Sequence, residues 1–347
     1  MTQDLSGGLT PEHELFFPAC PADPEMRESS SIWLFEENGA FAFPRIGIEA
    51  EAESWDKRLY HANFAMGGGR ILHDTGRGTA PSPFGPDGRP TILGAGPLRF
   101  ELVEPFRKWR VHYDGSVAQG TVAQQIAGQP LDYSHKTPLR FEVELTMVTP
   151  GWVQDNSPEK VARMSEAERA EATSMGIGWR IEHLFRAEGV LDFDGDTRQF
   201  RALGSRIKRQ SVRPLTAFRG HCWQSAVFPD GRAFGYIAYP PAGDGSEPYN
   251  EGYVYQDGRM YPARAVRVPW LRRLVEEGDD VSLELESELG ITRIEGSTTL
   301  STFRIHNPET AGGRFNMTQS GAHYRWDGQS TLGMIERSST DDRMDPR

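Results

Sequence analysis

An all-β fold of two packed antiparallel barrels is predicted by three observations. Strand signals recur every 8–14 residues through both halves of the 347-residue chain, with turn chemistry between them. The 37 glycines and 24 prolines favour many short elements over long helices. A highly charged, weakly apolar stretch at 153–175 interrupts the strand pattern and separates two similar halves. A chain of this length suits two domains better than one.

Residues 1–30 are polar and carry Pro11, Pro18, Pro21 and Pro24, so they read as an N-terminal arm. The first barrel is expected over 31–152. It opens with Ile32-Trp-Leu-Phe35 and Ala40-Phe-Ala-Phe43, joined by Glu-Glu-Asn-Gly, a hairpin signal. Arg58–Phe64 and Arg70–His73 follow, then a Gly- and Pro-rich stretch, 74–98, expected to be a long loop. Leu98–Val103, Trp109–Tyr113 and Arg140–Met147 read as strands; in the last, Phe141, Val143, Leu145 and Met147 share the dry face. Within 153–175, Ser157-Pro158 and the capping-box pattern Ser165-Glu-Ala-Glu168 predict a polar helical linker. The second barrel is expected over 176–337, from Arg180–Phe185 to Thr298–His306 and beyond, with a frayed tail at 338–347.

The formal charge of −11 argues against nucleic acid as a partner. No apolar run approaches the roughly 18 residues of a transmembrane helix. Met1–Gly8 has neither a basic nor an apolar segment, so no signal peptide is expected and the cytoplasm is the expected compartment. Cys20 and Cys222 make neither a disulfide framework nor a thiolate metal site. No Walker loop, His-x-x-x-His, calcium loop or Gly-x-Ser-x-Gly elbow is present, so neither cofactor nor metal is expected.

The chemistry-bearing stretch is Phe218-Arg-Gly-His-Cys-Trp-Gln-Ser225. In a strand, His221 and Trp223 share one face while Cys222 and Gln224 share the other. Cys222 then reads as a small core residue rather than a nucleophile served by His221. The second constellation is Tyr249-Asn-Glu251, with Tyr253 and Tyr255 on the same face if the run is extended. Asn250-Glu-Gly252 reads equally as strand or turn. As a strand, it sets one carboxyl among aromatic rings, where burial raises its pKa and lets it act as an acid. An indole stabilises a developing cation, and an imidazole orients or deprotonates water. The same residues also suit a satisfied core or rim pair. Arg219 and Arg304 are candidate ligands for an anionic tail. His112 with Asp114, and Arg304 with His306, read first as exposed strand faces. Trp179, Trp270 and Trp326 read as inter-barrel core or rim.

Gly220-His-x-Trp223, an apolar run, Asp230-Gly231 and then Tyr249-x-Glu251 resemble the family of bacterial carotenoid hydratases (hydroxyneurosporene synthases) and AttH-like proteins. The resemblance implies two lipocalin-like barrels and acid-catalysed hydration. It places His221, Trp223, Tyr249 and Glu251 at the family's His-x-Trp and Tyr-x-Asp positions, with Glu for Asp and one extra methylene of reach. Fungal pericyclases of similar architecture widen the chemistry it implies.

The function expected is a cofactor-independent hydratase or dehydratase acting on an apolar terpenoid-, steroid- or polyketide-like molecule. Glu251 is then the general acid, His221 positions water, Trp223 faces the cation and Tyr249 orients the acid. Tyr253, Tyr255, Arg219 and Arg304 line the ligand site, and the assembly state includes a possible homodimer. A cofactor-free isomerase or cyclase, or a non-catalytic binder of hydrophobic ligands, uses the same cavity.

Overall fold

The computed structural model describes residues 3–164, 166, 169, 173, 176–212, 220–241, 248–305 and 315–345. Arg219, His306 and the capping-box residues Ser165 and Glu168 lie outside the described residues. The first body is an eleven-stranded antiparallel sheet. Its strands are β1 (Met26–Glu36), β2 (Phe41–Glu51), β3 (Lys57–Met66), β4 (Arg70–Thr79), β5 (Ile92–Ala95), β6 (Leu98–Glu104), β7 (Lys108–Thr121), β8 (Lys136–Met147), β9 (Trp152–Asn156), β10 (Ile177–Phe193) and β11 (Asp196–Val212). They run in the order β4-β3-β2-β1-β11-β10-β8-β7-β6-β5, and pairing of β4 with β7 closes the ring. The short β9 pairs with β10 beyond the end of β8. The second body is a closed barrel in sequence order. Its strands are β12 (Gly220–Val227), β13 (Ala233–Ala238), β14 (Asn250–Gln256), β15 (Arg259–Arg267), β16 (Leu283–Ser287), β17 (Gly290–Ile305), β18 (Phe315–Trp326) and β19 (Gln329–Thr340). The described α-helices are two short ones, α1 (Val122–Ile126) and α2 (Pro158–Val161); none is long and apolar enough to cross a membrane.

The division expected at 153–175 does not coincide with the boundary between the sheets. β10 and β11 follow that stretch in sequence yet pair in the first sheet, β10 with β8 and β11 with β1 from Met26↔Val212. The polar stretch is an excursion between β9 and β10, which are neighbours in one sheet. The second barrel starts at Gly220 and runs through Thr340, past the expected end at 337. The long loop expected at 74–98 is also shortened, because β4 continues to Thr79 and β5 occupies Ile92–Ala95.

Both barrels are filled by their own side chains. The first holds Phe43, Phe64, Tyr113 and Phe141 in ring contact, with the alternating dry face of β8 turned inward. The second holds Phe228, Phe234, Tyr324 and Trp326, so Trp326 is barrel core rather than inter-barrel rim. A third cluster joins the bodies: Trp33 and Phe35 of β1, Trp152 and Leu184 meet Trp223, Tyr239, Tyr253 and Leu300.

The N-terminal arm plugs the first barrel. Leu5 and Phe16 join its core. The fully buried Glu14 pairs with Arg206 at 2.8 Å and accepts from Trp109 Nε1 at 3.0 Å and the Phe106 amide at 3.3 Å. Burial alone raises the Glu14 carboxyl, but Arg206, His183 and Lys208 together hold it below the usual range. Arg206 also lies flat over Trp109, 4.3 Å from the ring centroid. Removing one partner leaves the other as a bare buried charge. Arg206→Met is expected to lower unfolding stability by about 3–5 kcal/mol, and Glu14→Gln in the same chain to recover most of it. Urea titration of the single and double variants reads the difference.

Candidate functional site

Gly220 opens β12 at φ 113°, and a Cβ there would lie 2.4 Å from the Ser338 carbonyl oxygen. Glycine therefore lets β12 start flush against β19. Alternation then sorts the side chains. Cys222 and Gln224 turn into the second barrel, where the thiol meets the Tyr236 hydroxyl at 3.2 Å and burial pushes its pKa up. Cys222 is a core residue, as its position in the strand predicts.

His221 is buried on the other face. Its Nε2 lies 3.1 Å from Glu336 Oε1, and its Nδ1 lies 2.6 Å from Ser338 Oγ. Burial opposes ionisation of Glu336, yet His221, Arg45 and a hydrogen bond from Gln319 bring its pKa down to about 2. An ionised carboxylate only accepts, so Nε2 donates to Glu336; Nδ1 faces Ser338 Oγ, and in a neutral imidazole it is the acceptor of that hydroxyl's proton. The chain continues across the seam: Gln319 Nε2 donates to Glu336 Oε2 at 2.5 Å, and Asn63 Nδ2 of β3 donates to Gln319 Oε1 at 2.9 Å. Arg304, near the end of β17, is exposed at the same seam. Burial, then Arg45 and Arg304, push His61 down to about 3.

Trp223 packs its ring edge-to-face on Trp33, with centroids 4.7 Å apart. Arg180 of β10 lies over the same indole, 4.6 Å from the ring centroid. That guanidinium is buried, pairs with Glu182 at 3.0 Å and donates to Gln154 Oε1. The π-face expected to receive a substrate cation thus holds a resident one.

Asn250-Glu-Gly252 is strand. Asn250 brackets the Ala265 backbone with bonds of 2.7 and 2.9 Å, and a Cβ on Gly252 would come within 2.5 Å of the Gly235 carbonyl oxygen. Tyr249, Tyr253 and Tyr255 turn to the inter-barrel cluster. The Tyr249 hydroxyl donates to Glu251 Oε2 at 2.6 Å and accepts from Gln154 Nε2 at 2.6 Å. Burial, reinforced by Glu251, raises the Tyr249 phenol well above its ordinary range. Tyr253 packs on Trp152 with centroids 5.4 Å apart, and the Tyr255 hydroxyl accepts from Gln3 of the arm.

Glu251 itself is exposed. The register Trp223↔Ile237↔Glu251 puts it on the same wall as His221, with β13 between. At ordinary strand spacing the backbones of β12 and β14 are roughly 10 Å apart. His221-x-Trp223 and Tyr249-x-Glu251 therefore share one wall, and the carboxylate bonded to His221 is Glu336. Sequence reasoning missed Glu336, Ser338 and Arg180. One signal existed: Leu332, Met334, Glu336 and Ser338 alternate along β19, so an acid sits in an apolar row.

Ser338 also borders a cavity of about 180 Å³ whose walls include Pro240, Trp270, Leu271, Arg272 and Arg343. Ser338, whose hydroxyl meets His221 Nδ1, is thus also one of the residues that line that space. Among the described residues no group of three His, Cys, Asp or Glu could hold a metal ion. A water or hydroxyl in the cavity can lose a proton through Ser338 to Nδ1, while Glu336 stabilises the imidazolium.

The depressed Glu336 pKa makes a signed prediction. Its stabilisation is complete above the ordinary carboxyl value near 4.5 and is lost as pH falls toward about 2. Between pH 4.5 and 2 the wild type should lose about 3 kcal/mol more than Glu336→Gln, read as the pH dependence of the urea midpoint.

The comparison with curated proteins finds no match. Among solved structures, the chain is similar to a crystal structure described as an AttH protein from Nitrosomonas europaea, with 14% identity, TM-score 0.56 and coverage of 90% of this chain and 91% of that one. It is similar to CghA, with 12% identity, TM-score 0.56 and coverage of 92% and 89%. It is also similar to kievitone hydratase from Nectria haematococca, with 9% identity, TM-score 0.50 and coverage of 98% and 97%. These likenesses establish a shared fold of two β bodies over nearly the full length. By its match over residues 10–340, the chain belongs to the family described as a domain of unknown function (DUF7064), built on the AttH-like fold.

Proposed function

We propose that the protein is a cofactor-independent hydro-lyase, adding water to or removing it from a small organic molecule at the cavity beside Ser338. The observation that carries this reading is the hydrogen-bonded row Glu336–His221–Ser338, whose last member is a lining residue of that cavity. Kievitone hydratase, on a similar fold, is named for such a reaction. In the hydration direction, a water O–H gives its proton to Ser338 Oγ as the Ser338 proton passes to Nδ1. The hydroxide adds to one alkene carbon, and the imidazolium returns a proton by the same route to the other. One water is consumed, and its two hydrogens end on the new hydroxyl and the adjacent carbon, so no oxidant is involved.

This reading moves the proton work from Glu251 to His221 with Glu336. Glu251 and Tyr249 form a separate acid–phenol pair at the outer edge of the same wall. Tyr253, Tyr255 and Trp223 pack the seam, and Trp223 with Arg180 fixes the position of β12.

Ser338→Ala and Glu336→Gln are each expected to reduce kcat by about 10²–10⁴, with KM changed far less. Glu251→Gln should cost less than about tenfold, because Glu251 has no place in this relay. Equal losses in the Glu251 and Glu336 variants would return the acid role to Glu251. Product formed in ¹⁸O-labelled water should carry one labelled oxygen per turnover. Unlabelled product would replace hydration with isomerisation or cyclisation, and binding without any turnover would leave a ligand carrier.

A further inference from the structure

The cavity beside Ser338 is small, mixed in character and cationic at one side. Trp270, Leu271, Pro240 and Pro241 supply apolar walls; Leu271 and Pro240 are buried, and Trp270 is half-buried. Its volume of about 180 Å³ is below the range of drug-sized pockets. At protein packing density it holds roughly ten to twelve non-hydrogen atoms. Among the described residues, both barrel interiors are occupied by aromatic side chains.

Two arginines border the cavity. Arg272 donates to the Arg343 carbonyl at 3.2 Å, and Arg343 donates to the Pro241 carbonyl at 3.1 Å. Those bonds hold the two residues against the cavity and leave each guanidinium with further N–H donors. Among the described residues neither has a carboxylate within ion-pair distance, whereas Arg337, on the same strand as Ser338, is neutralised by Asp279 at 2.7 Å. Two guanidiniums at the edge of an apolar pocket suit a planar anionic oxygen group, because their forked donors match its geometry.

We propose that this cavity is the substrate pocket and that it selects a compact apolar molecule of about one ring carrying a carboxylate, seated against Arg272 and Arg343 with its unsaturated carbon toward Ser338. The inference rests on the hydro-lyase reading for its reaction, but not for its binding geometry. It replaces the large terpenoid or steroid expected from the sequence with a molecule of arylpropenoate size. The ring lies against Trp270, and the carboxylate polarises the conjugated double bond to which water adds.

The test uses the full chain with trans-cinnamate, 3-hydroxy-3-phenylpropanoate and the uncharged cinnamamide, titrated by calorimetry and followed for turnover. Both acids should bind, the amide at least about tenfold more weakly. Arg272→Gln/Arg343→Gln should remove that preference at an unchanged thermal midpoint. Ser338→Ala should keep the affinity and lose turnover. Acid binding without turnover in the wild type supports this pocket and counts against the hydro-lyase reading. Equal binding of acid and amide overturns the proposal, as does binding of neither. Turnover of a long uncharged polyene without binding of cinnamate also overturns it, and leaves the hydro-lyase reading standing.

Discussion

The guanidinium of Arg180 is the tie on which the relative placement of the two barrels depends. It belongs to the first body, lies against Trp223 of the second, and is held by Glu182 and Gln154. Gln154 in turn donates to Tyr249 across the same seam. A buried charge is tolerated only where its partners are all in place, so this arrangement admits little sliding. β12 carries Trp223 and His221 two residues apart. Fixing the indole therefore fixes the imidazole opposite Asn63, Gln319 and Glu336.

Burial acts alike on the two acids of the seam, and their neighbours separate them. Glu182 is pushed up, since desolvation outweighs Arg180 and its hydrogen bonds. Glu336 is pushed down, since His221, Arg45 and Gln319 outweigh the same penalty. An ionised Glu336 accepts from His221 Nε2 and so orients the ring. Burial, Arg45 and Arg304 keep His61 neutral at neutral pH. The cavity bordered by Ser338 is walled by residues of the second half of the chain, among them Pro240, Trp270, Leu271 and Arg343.

Much of this was legible in local spacing. Period-two alternation separated His221 and Trp223 from Cys222, and grouped Tyr249, Glu251, Tyr253 and Tyr255 on one face. It also marked the dry side of β8. What spacing lacks is the closure of a barrel. Glu336 meets His221 across β19 and β12, the last and first strands of the second barrel, 115 positions apart. Arg180 was hidden for a related reason. The polar stretch before it resembled a linker, so its strand was assigned to the wrong body. Composition registers a polar stretch but not whether the chain returns to the sheet it left. Glu251 stood out because aromatic residues surround it in sequence, yet its carboxyl faces solvent.

The pairing of β1 with β11 sets a schedule for synthesis. Met26 meets Val212, so the first ring cannot close until nearly two-thirds of the chain has left the ribosome. Until then β1 presents Ile32, Trp33, Leu34 and Phe35 along an unpaired edge. The hairpin of β1 with β2 forms early because its contacts are local, but the edge it exposes waits for a strand some 170 residues downstream. A nascent chain that ends between β2 and β11 therefore carries an open apolar strand edge, the kind of surface that templates aggregation.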